Sequence, residues 1–332
     1  MMKLKRYLKN LIKPALVILL VNILISSGCS PRPPTPLEKT DIEKKFLESF
    51  NKTTKPAYPL IASTRIFGKT FWIHIATKKD LLTINSSRGI GGVMPEKNIK
   101  FIDIKCQYES SAFYMDYIFL KYDPEEKAKQ RDLFKKTVGG TTLYQDFTYE
   151  CIEILQKTYY AVGDIIAETE GMNFFVICAA NIEKGIKITF VIHRLDMEQF
   201  LLNMLPPDEF YNRMILKTDG SKEIIGDKYG LHLEHNDISL IDFLREQIVK
   251  NATTKINEME KYNAQVLKSI DRLDNIILKS VYDVVTKYEF DDFMFVEIEN
   301  IISKEILSLS KRKLMNKFNK PISPHYTQDY NF

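Results

Sequence analysis

The sequence predicts an α+β chain: an antiparallel sheet covered by a long helix, followed by an all-helical C-terminal region. Three observations predict it. Runs rich in β-branched and aromatic residues at Leu60–Phe67, Thr70–Thr77, Ile99–Tyr108, Phe113–Tyr122, Asn173–Ala180 and Ile186–Arg194 read as strands. Between Leu143 and Glu168 apolar residues recur every three to four positions, the period of a helix with one buried face. From Asp237 to Lys320 there is neither Gly nor Pro in 84 residues, and Ile241, Leu244, Ile248, Ile256, Leu273, Ile277, Val281 and Val284 keep a helical stripe.

Each element has a local reason. Thr40-Asp41-Ile42-Glu43 has capping-box spacing, Thr at the N-cap and Glu three residues on, and opens a helix to about Phe50. Gly68-Lys69 is a two-residue hairpin turn between the first two strands. Arg88–Lys97 reads as a glycine-containing loop, and Pro124 with the charged residues after it as a connector. Asn173–Ala180 is apolar throughout, which suits a central strand covered on both faces. Asp196–Leu205 is a short helix stopped by Pro206-Pro207. Gly220, Gly226 and Gly230 mark a turn-rich stretch to about Asn236. Thr253 and Thr254 weaken the long helix at Asn251–Lys255, and Glu289–Phe293 is a turn before a last helix ending near Met315. The domain reading is therefore 1–28 signal peptide, 29–39 lipidated cysteine and proline-rich tether, 40–236 α+β domain, 237–320 helical region and 321–332 tail.

The chain has 332 residues, 47 Lys+Arg and 43 Asp+Glu, a formal charge of +4. Lys3, Lys5, Arg6, Lys9 and Lys13 precede any acid, so the chain after residue 28 carries −1. A nearly neutral body is unsuited to broad nucleic-acid binding, because phosphate attraction needs a basic surface.

Residues 3–13 are basic, and an apolar run of 11 residues follows from Ala15 to Ile25, interrupted only by Asn22. Crossing a bilayer core takes about 20 apolar residues. A positive flank, a short apolar segment and small residues together make a secretory signal. The small residues are Ser26, Ser27 and Gly28, with Cys29 next. In Ile25-Ser26-Ser27-Gly28-Cys29 the chain resembles the bacterial lipoprotein precursors, with Ser26 where that family usually has Leu. The resemblance covers about the first 36 residues. It implies lipidation of Cys29, which becomes the mature N-terminus, and palmitate-type acyl chains holding the chain to a membrane of the cell envelope. The residue after the cysteine guides sorting in the enterobacterial type. Ser30 there implies the periplasmic face of the outer membrane if the source has two membranes, otherwise the outer face of the plasma membrane. Pro31, Pro33, Pro34 and Pro36 lie within Ser30–Leu37. Such a segment stays extended and makes a semi-rigid spacer of roughly 25 Å.

With Cys29 acylated, Cys106, Cys151 and Cys178 remain, so at most one disulfide can form. Cys151 and Cys178 lie among apolar residues and read as small buried hydrophobes rather than reactive thiols.

Candidate chemistry is sparse. Gly68-Lys69-Thr70 matches the end of a phosphate-binding loop, but position 63 is Ser and the context is strand–turn–strand, so nucleotide binding is not expected. Gly89-Ile90-Gly91-Gly92 is an incomplete dinucleotide fingerprint. His232 and His235 flank Leu233-Glu234 with zinc-compatible groups and no third ligand near in sequence. His74 and His193 read as packed or surface histidines. Glu150/Glu153 and Glu168/Glu170 are acidic pairs of the kind that supply an acid and a base, but Glu150 and Glu153 share a helix face opposite the apolar stripe and read as solvated. Lys311, Arg312, Lys313, Lys317 and Lys320 read as a solvated helix end or a contact for a polyanion. No Gly-x-Ser-x-Gly elbow occurs. Catalytic residues are unassigned, and no cofactor, metal, nucleotide or nucleic acid is expected.

The expected role is therefore a lipid-anchored binding, scaffold or accessory protein, with a protein partner taken through the helices of 237–315. The alternatives are a hydrolase-like envelope enzyme whose site is assembled from distant residues, and a small-ligand-binding lipoprotein. Labelled palmitate is expected to enter the wild-type chain and to be absent from Cys29→Ala; equal labelling of the two contradicts the anchor.

Overall fold

The computed structural model describes residues 40–53, 60–84, 100–121, 145–220, 235–262 and 270–319. The signal peptide, Cys29, the tether, the Gly89–Gly92 loop, the Pro124 connector, Gly226, Gly230, His232 and the tail lie outside the described residues. The elements belong to one unit, Asp41–Phe332.

The strands are β1 (Ile61–Phe67), β2 (Thr70–Thr77), β3 (Leu82–Ile84), β4 (Lys100–Glu109), β5 (Ala112–Lys121), β6 (Gln145–Phe147), β7 (Phe174–Asn181), β8 (Ile186–His193), β9 (Ile215–Gly220), β10 (Phe295–Asn300) and β11 (Ile306–Ser310). The helices are α1 (Asp41–Thr53), α2 (Tyr149–Gly163), α3 (Arg194–Leu201), α4 (Pro207–Arg213), α5 (Leu240–Tyr262), α6 (Ile270–Lys287) and α7 (Lys311–Phe318).

The chain is α+β, with two mixed sheets rather than one antiparallel sheet. The first runs β1-β2-β7-β8-β9 and the second β11-β10-β5-β4; β3 and β6 form a separate two-stranded pair. Both large sheets follow one rule. Two hairpins lie side by side, antiparallel within each hairpin and parallel where they meet, at β2/β7 and β5/β10. A parallel pair needs a long crossover rather than a tight turn. Helix α2 lies in the chain between the first two hairpins, and α5 with α6 between the second two.

The all-helical C-terminal region is corrected on the same ground. Residues 237–320 contain β10 and β11, and these pair onto β5 from the middle of the chain. No boundary therefore falls at 237. Both strands have the period-2 pattern of a half-buried ladder: Phe295–Asn300 alternates strictly between partly exposed and buried, and Ile306–Ser310 between exposed and partly exposed. Their turn uses neither Gly nor Pro. Asn300 Oδ1 instead accepts from the N–H of Ile302 (3.0 Å) and Ser303 (3.3 Å), and Lys304 takes a φ of 61°.

Other elements moved at their ends. Helix α2 starts at Tyr149, not Leu143, because Thr148 Oγ1 caps it by accepting from the Cys151 N–H (3.3 Å) and β6 occupies the preceding residues. Helix α3 ends at Leu201 with Leu202 as its C-cap, ahead of Pro206-Pro207, and Pro207 instead starts α4 in its first turn. Strand β9, for which no element was expected, ends at Gly220, the first glycine of the stretch expected to be turn-rich. Helix α5 runs unbroken through Asn251–Lys255, where burial of Ala252 and the Lys255–Asp283 ion pair (2.6 Å) override the β-branched threonines.

Strand β7 is central and buried along its whole length, as its composition predicts. Its alternate side chains feed two cores. Phe175 and Ile177 join Phe71 and Ile73 of β2 and pack against Phe46 and Phe50 of α1 and Ile154 of α2. Phe174, Val176 and Cys178 face the other way and meet Phe243 of α5. The second sheet presents Ile104, Phe113, Met115, Val296 and Ile298 to the stripe of α5 and α6, including Leu244, Ile248, Ile277 and Val281.

The β4–β5 hairpin turns through Ser110 and Ser111, both left-handed at φ 50° and 58°. L-residues are disfavoured there, and Asn-Gly is the preferred pair for such a turn. Replacing Ser110-Ser111 by Asn-Gly is expected to raise stability by about 1 kcal/mol, read as a higher urea midpoint with an unchanged slope.

Candidate functional site

A cleft of about 530 Å³ opens where the two sheets come together. Strand β4 contributes Cys106 and β9 contributes Ile215 and Leu216. Helix α5 contributes Asp242, Arg245, Glu246, Val249 and Lys250, whose spacing of three and four places them on one helical face. Both contributing strands are terminal in their sheets. Volumes of 300–1,000 Å³, mostly apolar with a few polar groups, are typical of small-molecule sites.

The polar groups of the cleft are largely engaged. Arg245 donates from Nε to the Cys106 carbonyl (2.8 Å) and from Nη1 to Asp242 Oδ1 (2.9 Å). Glu246 is paired with Lys217 at 2.6 Å. Lys250 Nζ donates to the carbonyls of Met214 (2.7 Å), Asn212 (2.9 Å) and Tyr211 (3.4 Å). Burial and the neighbouring Lys287 lower the Lys250 ammonium below its usual range. Burial also pushes the Cys106 thiol up to about 12, so it is a thiol rather than a nucleophile at neutral pH.

Behind the cleft lies a network of charges. Asp196 of α3 is 3% exposed and accepts from Arg213 Nη1 (2.8 Å) and the Tyr288 hydroxyl (2.8 Å). Arg213 Nε reaches Glu209 Oε1 (2.8 Å), which also takes Lys287 (3.0 Å). Burial would raise the Glu209 carboxyl, but Arg213 and Lys287 outweigh it and hold it below its usual value. Burial first, then Asp196, pushes the Tyr288 hydroxyl far up, so it stays a donor. Arg213 and Lys287 thus occupy both carboxylates of the network.

His193 stands beside this network at the end of β8. Its ring lies 5.4 Å from Phe174, 5.9 Å from Phe243 and 5.2 Å from Tyr288, and its buried Nδ1 has no hydrogen-bond partner among the described residues. A ring packed this way joins β7, β8, α5 and the end of α6.

The other sequence candidates are dispersed. At Gly68-Lys69-Thr70, Asp237 Oδ1 accepts from the Lys69 N–H (2.9 Å) and the Thr70 hydroxyl (2.8 Å). A Cβ on Gly68 would fall 2.2 Å from Asp237 Oδ2, so glycine is required by contact as well as by its φ of +56°. This N–H is committed to a carboxylate, not presented to a phosphate. His235 stacks edge-on against Trp72 at 5.2 Å, and His74 is buried in β2. Glu150 corrects the solvated-face reading: it is 8% exposed and accepts from Lys79 (2.9 Å) and Thr77 (3.3 Å), while Glu153 pairs with Lys157. Glu168 pairs with Lys45. Lys311, Arg312 and Lys313 open α7 rather than close it, with Lys311 held by Asp291. Cys106, Cys151 and Cys178 are buried free thiols. Among the described residues, no three His, Cys, Asp or Glu side chains gather as a metal would require.

Sequence reasoning missed the cleft. Its α5 residues were visible only as the polar side of a helix, and β9 was not recognised as a strand. It also missed a ridge on α2, where Tyr149 (80% exposed), Ile152 (41%), Gln156 and Tyr160 (61%) run along the outer face beside the part-buried Glu153–Lys157 ion pair.

Burial, against Asp196 and with Arg194, lowers the His193 imidazole below its ordinary 6.5. The folded chain thus favours the neutral ring. Its contribution to stability is complete above the unfolded value and declines as pH falls from about 6.5 toward the folded value. Wild type is expected to lose more urea stability between pH 8 and pH 5 than His193→Phe, whose ring keeps the aromatic packing; equal losses contradict this. No protein-family model, curated protein or solved structure matches this chain.

Proposed function

We propose that the chain is a lipid-anchored protein of the cell envelope that acts by binding. The observation that carries this reading is Cys29: a basic flank, an 11-residue apolar run and three small residues before it, and four prolines in the eight residues after it. Several acyl chains hold a protein firmly where one holds it marginally, at about 0.8 kcal/mol per buried methylene. No helix among the described residues is long and apolar enough to cross a membrane. By the Ser30 sorting pattern, the anchored body faces the periplasm from the outer membrane in a source with two membranes, and otherwise lies on the outer face of the plasma membrane.

The scaffold or accessory role takes a different surface from the one first expected. The apolar stripe of α5 and α6 is consumed by the chain's own second sheet, where Leu244, Ile248, Ile277 and Val281 are all buried. The α2 ridge supports a protein partner better. Two tyrosines and an isoleucine, with their one neighbouring acid Glu153 already neutralised by Lys157, have the composition of an interface centre, which is rich in aromatics and poor in unpaired charge. The matching partner surface is apolar and uncharged.

A photoreactive residue at Tyr160 is expected to give a discrete crosslinked adduct in intact cells. The adduct should weaken several-fold when Ile152→Glu places a charge on the ridge, and when Cys29→Ala releases the anchor. The same probe at Lys304, in the β10–β11 turn, is the control. Adducts equally strong from Tyr160 and Lys304, or indifferent to Ile152→Glu, would overturn the ridge as a docking face.

A further inference from the structure

The cleft between the two sheets has an apolar wall and an uncancelled positive charge. Leu216 is 46% exposed and stands with Ile215 and Val249 as the wall. Asp242 is matched by Arg245, and Glu246 by Lys217. Lys250 is different. Its three hydrogen bonds go to main-chain carbonyls, and among the described residues it has no carboxylate partner. The network behind it does not supply one, because Asp196 and Glu209 are already shared by Arg213, Lys287 and Tyr288. A half-buried charge without a counter-ion attracts one, and the attraction is strongest where low-dielectric walls focus it.

We propose that this cleft binds a small organic monoanion carrying an apolar body. The apolar body lies against Leu216, Ile215 and Val249. The anionic group meets the guanidinium of Arg245, whose Nη2 has no described partner, in the field of Lys250. A guanidinium presents a planar fork that fits a carboxylate, and Asp242, 60% exposed at its side chain, is a partner that a ligand carboxylate can supplement or replace. A cation of the same shape would meet Arg245 and Lys250 with like charge. Inorganic anions would gain the charge but leave the wall uncovered. The inference rests on the reading of the chain as a binding protein and names the ligand class of that cleft.

The test uses the full chain in lipid nanodiscs, with labelled 4-phenylbutyrate as the probe and equilibrium dialysis against empty nanodiscs. About one probe per chain is expected, with affinity falling at least fivefold in Arg245→Gln and in Lys250→Gln. Unlabelled 4-phenylbutyrate should compete, while 4-phenylbutylammonium and acetate should not. Leu216→Trp tests the wall independently of the charges: it enlarges an already exposed side chain into the cleft, and is expected to block the probe with an unchanged urea midpoint. No binding above empty nanodiscs, equal competition by the ammonium compound, or affinity unchanged in Arg245→Gln and Leu216→Trp would each overturn the proposal. Palmitate labelling at Cys29 and crosslinking from Tyr160 are unaffected by those outcomes, so failure here is distinguishable from failure of the anchored-binder reading.

Discussion

Helix α5 is the constraint on which the rest of the structure depends. Phe243 and Leu244 are neighbours in sequence and point to different layers: Phe243 into the face of the first sheet, Leu244 into the core of the second. One helix therefore closes two cores. This explains why the chain, although its sheets draw hairpins from distant segments, has no boundary where composition suggests one. Truncating Phe243 to Ala would cost about 3–5 kcal/mol in the layer on the first sheet. The cleft follows from the same placement. A helix fitted between two sheet edges leaves an uncovered strip along its solvent-facing turn, and that strip holds Arg245, Val249 and Lys250.

The joint is completed by polar contacts rather than apolar ones. Asp196 collects Arg213 from α4 and Tyr288 from the end of α6, tying the helices that follow β8 to the layer beyond. Buried ion pairs of this type are often close to neutral in net stability against an apolar substitute, while losing one partner costs about 3–5 kcal/mol. Their value lies in specificity: the carboxylate at Asp196 accepts two donors in one geometry, so α4 and α6 are held in one register. His193 reinforces this from the aromatic side. It sits where Phe174, Phe243 and Tyr288 converge, and its protonation would place a charge in a site built for a neutral ring.

Most of the hairpins were legible because their signals are local. Gly68-Lys69 marks its turn, and the strands on each side alternate or run apolar. What was not legible was how hairpins meet. The parallel pairs β2/β7 and β5/β10 join residues about 100 to 180 positions apart, and no nearest-neighbour pattern encodes them. The β10–β11 hairpin was hidden for a different reason. Its turn is built on the Asn300 side chain instead of Gly or Pro, so the stretch after the expected turn at Glu289–Phe293 passed for a last helix. Glu150 was hidden because its partners, Thr77 and Lys79, lie on β2 and just beyond it, so helical spacing alone placed it on the solvated side. The cleft shares that difficulty, since its residues come from β4, β9 and α5. By contrast, the anchor proposed at Cys29 rests on a purely linear signal and does not depend on the fold.

The two surfaces proposed for binding have different energetic characters. The α2 ridge lies on the outer side of a helix whose other faces are buried against the first sheet, so covering it changes no contact inside the chain. The cleft touches elements of both sheets at once. A molecule seated there contacts β4, β9 and α5 together, and so favours the state in which all three are assembled. By mass action it stabilises that state by RT ln(1 + [L]/Kd), about 2.7 kcal/mol at a hundredfold excess over Kd. Asp242 and Arg245 then have a second purpose. In the empty cleft their ion pair covers the guanidinium with a partly exposed carboxylate, a contact weak enough in water to be exchanged for a ligand's. Lys250 cannot be relieved in this way, because its carbonyl partners carry no charge. The same arrangement that holds the end of α4 against α5 is therefore what leaves the cleft positive.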